Sequence, residues 1–276
     1  MTVLDLTAAN RLFYGSAEAQ QLYYGSALLW TKPAAPVVPI SDYYGTGGGQ
    51  VPMDHKYAEG TASGGNITAV PNLGGAGAVF DLTTVGTAPI SGQAVDIDPT
   101  DYFSIDSQAD LVGTRLFIVA DIRSTAANQY FGGQNEANGS GGKTNILLLA
   151  GGSPMNVTKN TGTTVAAQVI LSPPVSTGIR LYEIEFTGGG NITVWVNGQQ
   201  RGSVANPHTS LLINRIAAGQ SLSAGLNALL YRSLSLIQGG DYAARIDNIR
   251  RRLDEQYGLG MYPVAPTLTG GSLTIA

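Results

Sequence analysis

An all-β fold is predicted by three features of the chain. Its 276 residues include 37 glycines and 13 tyrosines but only 12% charged side chains, a composition of many turns and of aromatics suited to half-buried strands. Apolar or alternating runs of four to eight residues recur between Gly, Asn and Pro clusters. One segment alone, near the C-terminus, carries a convincing helical period.

The first element is a tandem repeat. Leu12-Phe13-Tyr14-Gly15-Ser16-Ala17 returns ten residues later as Leu22-Tyr23-Tyr24-Gly25-Ser26-Ala27, and Leu28-Leu29-Trp30 closes the second copy. An aromatic doublet, a Gly-Ser turn and a return strand describe a β-hairpin rung. Two rungs bury too little surface to stand alone. Residues 1–32 are therefore expected to be an anchoring module completed by another protein or by further copies, with Tyr14, Tyr24 and Trp30 as aromatic anchors; the other reading is an ordinary hairpin packed on the body. Residues 33–50, with Pro33, Pro36 and Pro39 followed by Gly45 and Gly47-Gly48-Gly49, read as a stiff and then loose linker.

The body is expected over 51–262. Leu116 to Ile122 and Ile146 to Ala150 are apolar runs of buried strands, whereas Tyr182-Glu183-Ile184-Glu185-Phe186 alternates, which predicts one core face and one wet face. Ile192 to Val196 runs into Asn197-Gly198 and back through Ser203, a pair that tolerates the positive φ angles of a type I′ hairpin turn. Tyr242, Ile246, Ile249, Leu253 and Tyr257 form one helical stripe. Asp241 is the expected N-cap and Gly258 the left-handed stop. Asp247→Arg251, Arg250→Asp254 and Arg251→Glu255 are the expected i,i+4 pairs on the solvated side. Residues 263–276, uncharged and Gly/Thr-rich, are expected as a mobile tail or as a strand lent to a neighbour.

Charge and composition narrow the chemistry. A net charge of −4 with 15 Lys plus Arg leaves no electrostatic footprint for nucleic acid or an anionic membrane. The absence of cysteine excludes disulfides and thiolate metal sites. No signal peptide or apolar span of 18 residues is legible, so no membrane insertion is expected and the chain reads as made in the cytoplasm.

Two acidic clusters and two histidines are the candidates for catalysis or metal binding. Glu183 and Glu185 have the parity of a glycosidase acid pair, which requires carboxyls about 5–5.5 Å apart, but the residues that follow, Phe186-Thr187-Gly188, lack further acids. Solvent-facing acids alternating with core residues are the preferred reading. Asp96, Asp98 and Asp101 could supply hard oxygen ligands for calcium, without a recognisable ligand pattern. His55 and His208 are the only histidines; His208 follows Pro207 in a turn with no nucleophile elbow. Catalytic residues, resident metal and cofactors are accordingly all expected to be none.

Binding is the better reading. Sugars are held by aromatic faces over their C–H patches and by amides on their hydroxyls. The segment 128–138 sets Tyr130 among amides, and Tyr130, Gln134, Asn135 and Asn138 are its candidate contacts. Trp195, on the strand face opposite Ile192, Val194 and Val196, is the fifth.

The body resembles the laminin-G-like, concanavalin A-like jelly roll over about 70–260. The likeness rests on the Asn72-Leu73-Gly74-Gly75-Ala76-Gly77 turn with Pro89 and Asp101-Tyr102-Phe103, on the Ile192–Ser203 hairpin, and on Gly225 to Ser235 leading into the helix and Tyr257-Gly258. The Tyr-Tyr-Gly-Ser repeat ahead of a Pro-rich linker is similar to N-terminal modules of tailed-phage and gene-transfer-particle virion proteins. That resemblance implies a virion fibre or spike subunit, located in the particle on head or tail. Its N-terminal module would bind other virion proteins and its jelly roll a host-surface polysaccharide. A homo-oligomer is implied, a trimer being one such arrangement. A decorating subunit that binds only virion proteins and a polysaccharide depolymerase are the alternatives.

Overall fold

The computed structural model describes residues 39–43, 50–134, 143–160, 164–219 and 225–262, together with the backbone of short strands within 2–31 and at 273–275. In chain order the strands are β1 (Thr2–Leu4), β2 (Phe13–Tyr14), β3 (Ala17–Glu18), β4 (Gln21–Tyr24), β5 (Ala27–Thr31), β6 (Asp54–Lys56), β7 (Thr61–Ser63), β8 (Asn66–Val70) and β9 (Leu82–Val85). They continue as β10 (Ile90–Ser91), β11 (Ala94–Ile97), β12 (Tyr102–Asp110), β13 (Thr114–Ile122), β14 (Gln129–Gly133), β15 (Lys143–Leu148), β16 (Met155–Asn160) and β17 (Thr164–Val169). The last are β18 (Gly178–Phe186), β19 (Asn191–Val196), β20 (Gln199–Ala205), β21 (Leu212–Ile216) and β22 (Ala228–Ile237), then helix α1 (Tyr242–Tyr257) and β23 (Leu273–Ile275).

Residues 1–38 with 262–276 form one compact unit and 39–261 a second. Within the first, both predicted rungs are antiparallel hairpins. Tyr14 pairs with Ala17 across the first turn, and Leu22 with Trp30 in the second. The C-terminal segment, expected as a tail or a lent strand, places Leu273–Ile275 antiparallel to the chain's own Thr2–Leu4. The candidate anchors Tyr14, Tyr24 and Trp30 have backbone positions in these strands; their side chains lie outside what is described.

The second unit is a jelly-roll sandwich of two antiparallel sheets with a helix on one outer face. The eight-stranded sheet runs β10-β11-β22-β13-β18-β19-β20, with β6 also on β22, and the nine-stranded sheet runs β17-β16-β15-β14-β21-β12-β9-β8-β7. Strand alternation supplies the main core from both inner faces: Leu116, Ile118, Tyr182, Ile184, Ile192 and Val194 from one, Phe103, Ile105, Phe131, Ile146, Val157 and Ile213 from the other. Phe131 and Tyr182 meet across the layers with ring centroids 4.9 Å apart. Burial of side chains of this size contributes about 1.5–3 kcal/mol each.

A second core explains the helix. Phe117, Val119, Leu181, Leu234 and Leu236 point away from the sandwich and are covered by Ile246, Ile249 and Leu253 of α1. Ile40, from the stretch expected as linker, is buried in the same cluster. The α1 bounds match the predicted stripe, and Gly258 ends it at φ 63° with its N–H on Asp254 O. Two expectations about its surface are corrected. Asp241 makes no side-chain cap hydrogen bond; its carboxylate accepts from Arg245 Nε at 2.9 Å instead. Arg250 turns inward onto the sheet at Glu183, while Asp247–Arg251 forms as expected and Arg252–Glu255 pairs at i,i+3.

The Asn197-Gly198 hairpin has positive φ at both turn residues, 49° and 74°, as a type I′ turn requires. Asn197 Oδ1 further accepts from Leu181 N at 2.8 Å, tying the turn to β18. Asn72 acts similarly at the earlier turn: its Oδ1 accepts from Asp54 N, and its Nδ2 donates to Pro52 O and Gly77 O, each within 2.9 Å.

Candidate functional site

The two outer faces of the sandwich differ in what covers them. On the eight-stranded sheet, the parity that points Arg115, Glu183, Glu185, Thr193 and Trp195 outward brings Glu183 and Glu185 against α1, where Arg250 and Tyr242 meet them. Glu183 is fully buried, with Arg250 Nε at 2.8 Å and Arg115 Nη2 at 2.9 Å. The Arg115 contact lies off the donor direction and is an ion pair without a hydrogen bond. Burial pulls the Arg115 pKa down while Glu183 holds it up. Glu185 accepts from Tyr242 Oη at 2.7 Å and from Gln238 Nε2 at 3.1 Å; burial first, and then this carboxylate, push the Tyr242 phenol upward. The expectation of solvent-facing acids is therefore corrected. The face opposite the sandwich core is a second interior, because the helix stripe needs a partner and the sheet supplies it.

Trp195 packs against the same arginine, Arg115. Its indole is half-buried and the Arg115 guanidinium lies 3.6 Å above the ring centroid, a cation–π stack. That ring face is occupied, and Trp195 belongs to the sheet opposite the one that carries Tyr130.

The nine-stranded sheet presents the other face, and here outward parity collects polar groups. Register sets Tyr130 opposite Leu147, Gly133 opposite Asn145 and Arg215, Asn145 opposite Thr158, and Asn156 opposite Gln168. Tyr102 and Ser104 extend the row on β12, with Ser104 opposite Arg215. Asn145 Nδ2 donates to Thr158 Oγ1 at 3.3 Å, and Gln168 Nε2 to Asn156 Oδ1 at 3.1 Å. The strip grades from exposed Thr164 and Gln168 at one edge, through half-buried Asn156 and Thr158, to buried Asn145, Leu147, Arg215 and Tyr102. It offers what a sugar needs: a half-buried tyrosine ring, an apolar patch and a dense set of amides and hydroxyls.

Close backbone approach shapes its centre. A Cβ on Gly133 would lie 2.8 Å from Gly219 backbone, and a Cβ on Gly219 would lie 2.3 Å from Tyr130 Cδ1 and 2.6 Å from Asn145 Oδ1. Glycine at 219 thus lets the chain lie against the tyrosine ring. Beside it, Arg215 is 7% exposed, donates from Nη1 to Gly219 O at 3.5 Å, and holds its guanidinium 4.9 Å from the Tyr102 ring centroid. Burial lowers its pKa; Tyr102 opposes that.

The remaining candidates are dispersed. Gln134 is 1% exposed and its Oε1 has no hydrogen-bond partner; it follows outward Gly133, so alternation turns it inward, which corrects its expected place on an open surface. Asn135 and Asn138 lie outside the described residues. Asp96 and Asp98 both face Arg123, and Asp101 accepts from Thr87 N and Oγ1 at 3.0 and 3.3 Å. Among the described residues no three His, Cys, Asp or Glu side chains are grouped to hold a metal ion. His55 and His208 are buried, each with Nε2 on a backbone carbonyl, Phe80 O at 2.8 Å and Val157 O at 3.4 Å.

Arg215, Tyr102, Asn145 and Thr158 were not singled out from the sequence. Asn156-Val157-Thr158 carries a period-two signal, polar residues alternating with core Val157, whereas Arg215 shares sequence parity with core Ile213 and reaches the outer face only through the register shift in the β12–β21 pairing.

No family model matches the chain, and no curated protein matches it. Solved structures share its fold. The binding domain of botulinum neurotoxin DC in complex with SialylT matches at a TM-score of 0.51 and 10% identity, over 78% of this chain and 52% of that one. The chain thus spans about half the length of that domain's chain. The Ruminococcus gnavus IT-sialidase CBM40 matches at 0.44 and 7% identity, over 56% and 95%. Domain 4 of AbnA, a GH43 extracellular arabinanase from Geobacillus stearothermophilus in complex with arabinotriose, matches at 0.45 and 8% identity, over 72% and 98%.

Proposed function

We propose that the chain is a non-catalytic glycan-binding protein whose body takes polysaccharide on the outer face of its nine-stranded sheet. The observation that carries this reading is the strip around Tyr130, where Asn145, Thr158, Arg215 and Tyr102 converge on the outer face of one sheet. A jelly-roll likeness to a toxin binding domain in complex with SialylT supports it at the level of fold. Binding without covalent chemistry is supported by the acidic pair: Glu183 is held between two arginines under α1, and Glu185 is engaged by Tyr242 and Gln238.

The wider role we infer is that of a virion fibre or spike subunit, with residues 1–32 as the particle anchor and the body displayed toward a host-cell polysaccharide. The tandem hairpins support it: they belong to a unit separate from the sandwich, as an anchor would. Weak single sites would gain avidity from many copies on one particle.

The test is retention of the full chain on immobilised bacterial capsular and O-chain polysaccharides, compared with Tyr130→Ala and Trp195→Ala. Retention weakened tenfold or more by Tyr130→Ala, and little changed by Trp195→Ala, is expected. The reverse pattern would move the site to the helix-covered sheet. No retention would favour a subunit that contacts only other virion proteins.

A further inference from the structure

We infer that the glycan taken on this face carries a carboxylate, and that Arg215 is the residue that receives it. The inference rests on the glycan-binding reading above and adds the class of sugar: an acidic residue such as a uronic or nonulosonic acid.

Burying a charge is costly. Arg215 is 7% exposed, and an arginine stays protonated at any physiological pH. A cation withdrawn from water is unfavourable unless it is paired and hydrogen-bonded. Every other arginine this deeply buried has a carboxylate: Arg115 lies on Glu183, Arg232 on Asp54 and Arg245 on Asp241. Arg215 has none among the described residues. Among the described residues its partners are one long hydrogen bond to Gly219 O and the face of Tyr102, and neither of these is an anion. Tyr102 stacking holds the guanidinium plane in place, so the fork is preorganised before any ligand arrives.

The neighbours fit a sugar acid better than a bare anion. Tyr130 and Asn145 both approach Gly219, the residue whose carbonyl Arg215 touches, and Thr158 lies beyond Asn145. A carboxylate on Arg215 would therefore sit beside a ring face for the pyranose and an amide–hydroxyl pair for its hydroxyls. Guanidinium–carboxylate contacts are frequently bidentate, and this geometry would set which edge of the sugar enters.

The test uses the full chain and four probes, polygalacturonate and α2,8-linked polysialate, each native and after reduction of its carboxyl groups to alcohols, with dextran as the neutral reference. Binding is read by microcalorimetry or retention, with the thermal midpoint of every variant measured alongside. The expected result is binding of at least one native acidic polymer, weakened tenfold or more by carboxyl reduction. Which of the two binds separates a hexuronic from a nonulosonic acid. Arg215→Gln should lose the same factor with an unchanged or higher melting temperature, and Arg215→Lys should recover part of it. A purely structural arginine would show the opposite, a lowered melting temperature without selective loss of the acidic form. Equal binding of native and reduced polymers, or binding of dextran alone, overturns the inference and leaves glycan binding standing. Binding of none of these probes overturns the inference, while the capsular and O-chain panel decides the broader reading separately. Should Arg215→Gln fail to fold, the comparison of native and reduced polymers on the unaltered chain still decides.

Discussion

Gly219 and Glu183 mark the two outer faces at the scale of single residues. A methyl group at 219 would meet Tyr130 Cδ1 at 2.3 Å, a ring atom close to the backbone that cannot swing aside as a chain end would. Gly219→Ala is therefore expected to displace the Tyr130 ring and weaken glycan retention about tenfold, measured by the same retention assay, while main-core packing is kept. Glu183 is the reverse case. Its carboxylate balances Arg115 and Arg250 beneath the helix, and Glu183→Gln removes that charge while leaving both arginines. A loss of about 3 kcal/mol in unfolding free energy is expected by denaturant titration, in the range for breaking a buried ion pair. Glycan binding by the folded fraction should be unaffected. The sequence shows that Glu183 and Glu185 share a face. It does not show that face to be covered, since covering depends on where a helix some sixty residues later comes to lie. Gln134, expected as a surface contact, is buried for a related reason: strand parity tells in from out only when both sides of the sheet are known.

At the scale of elements, β6 and β22 enclose a pH-sensitive group. His55 is 1% exposed; a carbonyl only accepts, so Nε2 carries the proton donated to Phe80 O. Nδ1 lies 3.4 Å from Ser233 Oγ, which in turn is 2.7 Å from Tyr57 Oη. Burial depresses the His55 pKa, and His208 is shifted the same way by burial. A histidine whose folded pKa lies below its unfolded value near 6.5 takes up protons more readily in the unfolded chain. Its contribution is complete above that value and is lost as pH falls below it. Unfolding free energy should thus fall between pH 7 and pH 5, by up to about 1.4 kcal/mol per pH unit for each such histidine. Denaturant titrations across that range, repeated with His55→Gln, check this: the slope should shrink in the variant, and an unchanged slope would assign it elsewhere. Elements with strong local signals were legible in order and kind. Asn197-Gly198 made its I′ turn and α1 kept its stripe and its Gly258 stop. Asp241 did not cap the helix because Arg245, one turn on, takes its carboxylate.

For the whole molecule, alternation, turn residues and a lone amphipathic helix carried the all-β class, and the jelly roll was implied by the family resemblance of three short motifs. The pairing of β1 with β23 was not legible: strands of three residues each, separated by nearly the whole chain, have no local signature. The site was legible only through Tyr130. The strip around it is assembled from β12, β14, β15, β16 and β21, and it becomes a polar face only in register, through the shifts in the β12–β21 and β14–β15 pairings. Binding without turnover is tested most directly in a single sample. Full-length protein is incubated with a polysaccharide that it retains, and the bound fraction and the glycan's chain length are followed together over hours. Saturable binding with unchanged chain length is the predicted result. Progressive shortening of the glycan would contradict it and make the chain a depolymerase.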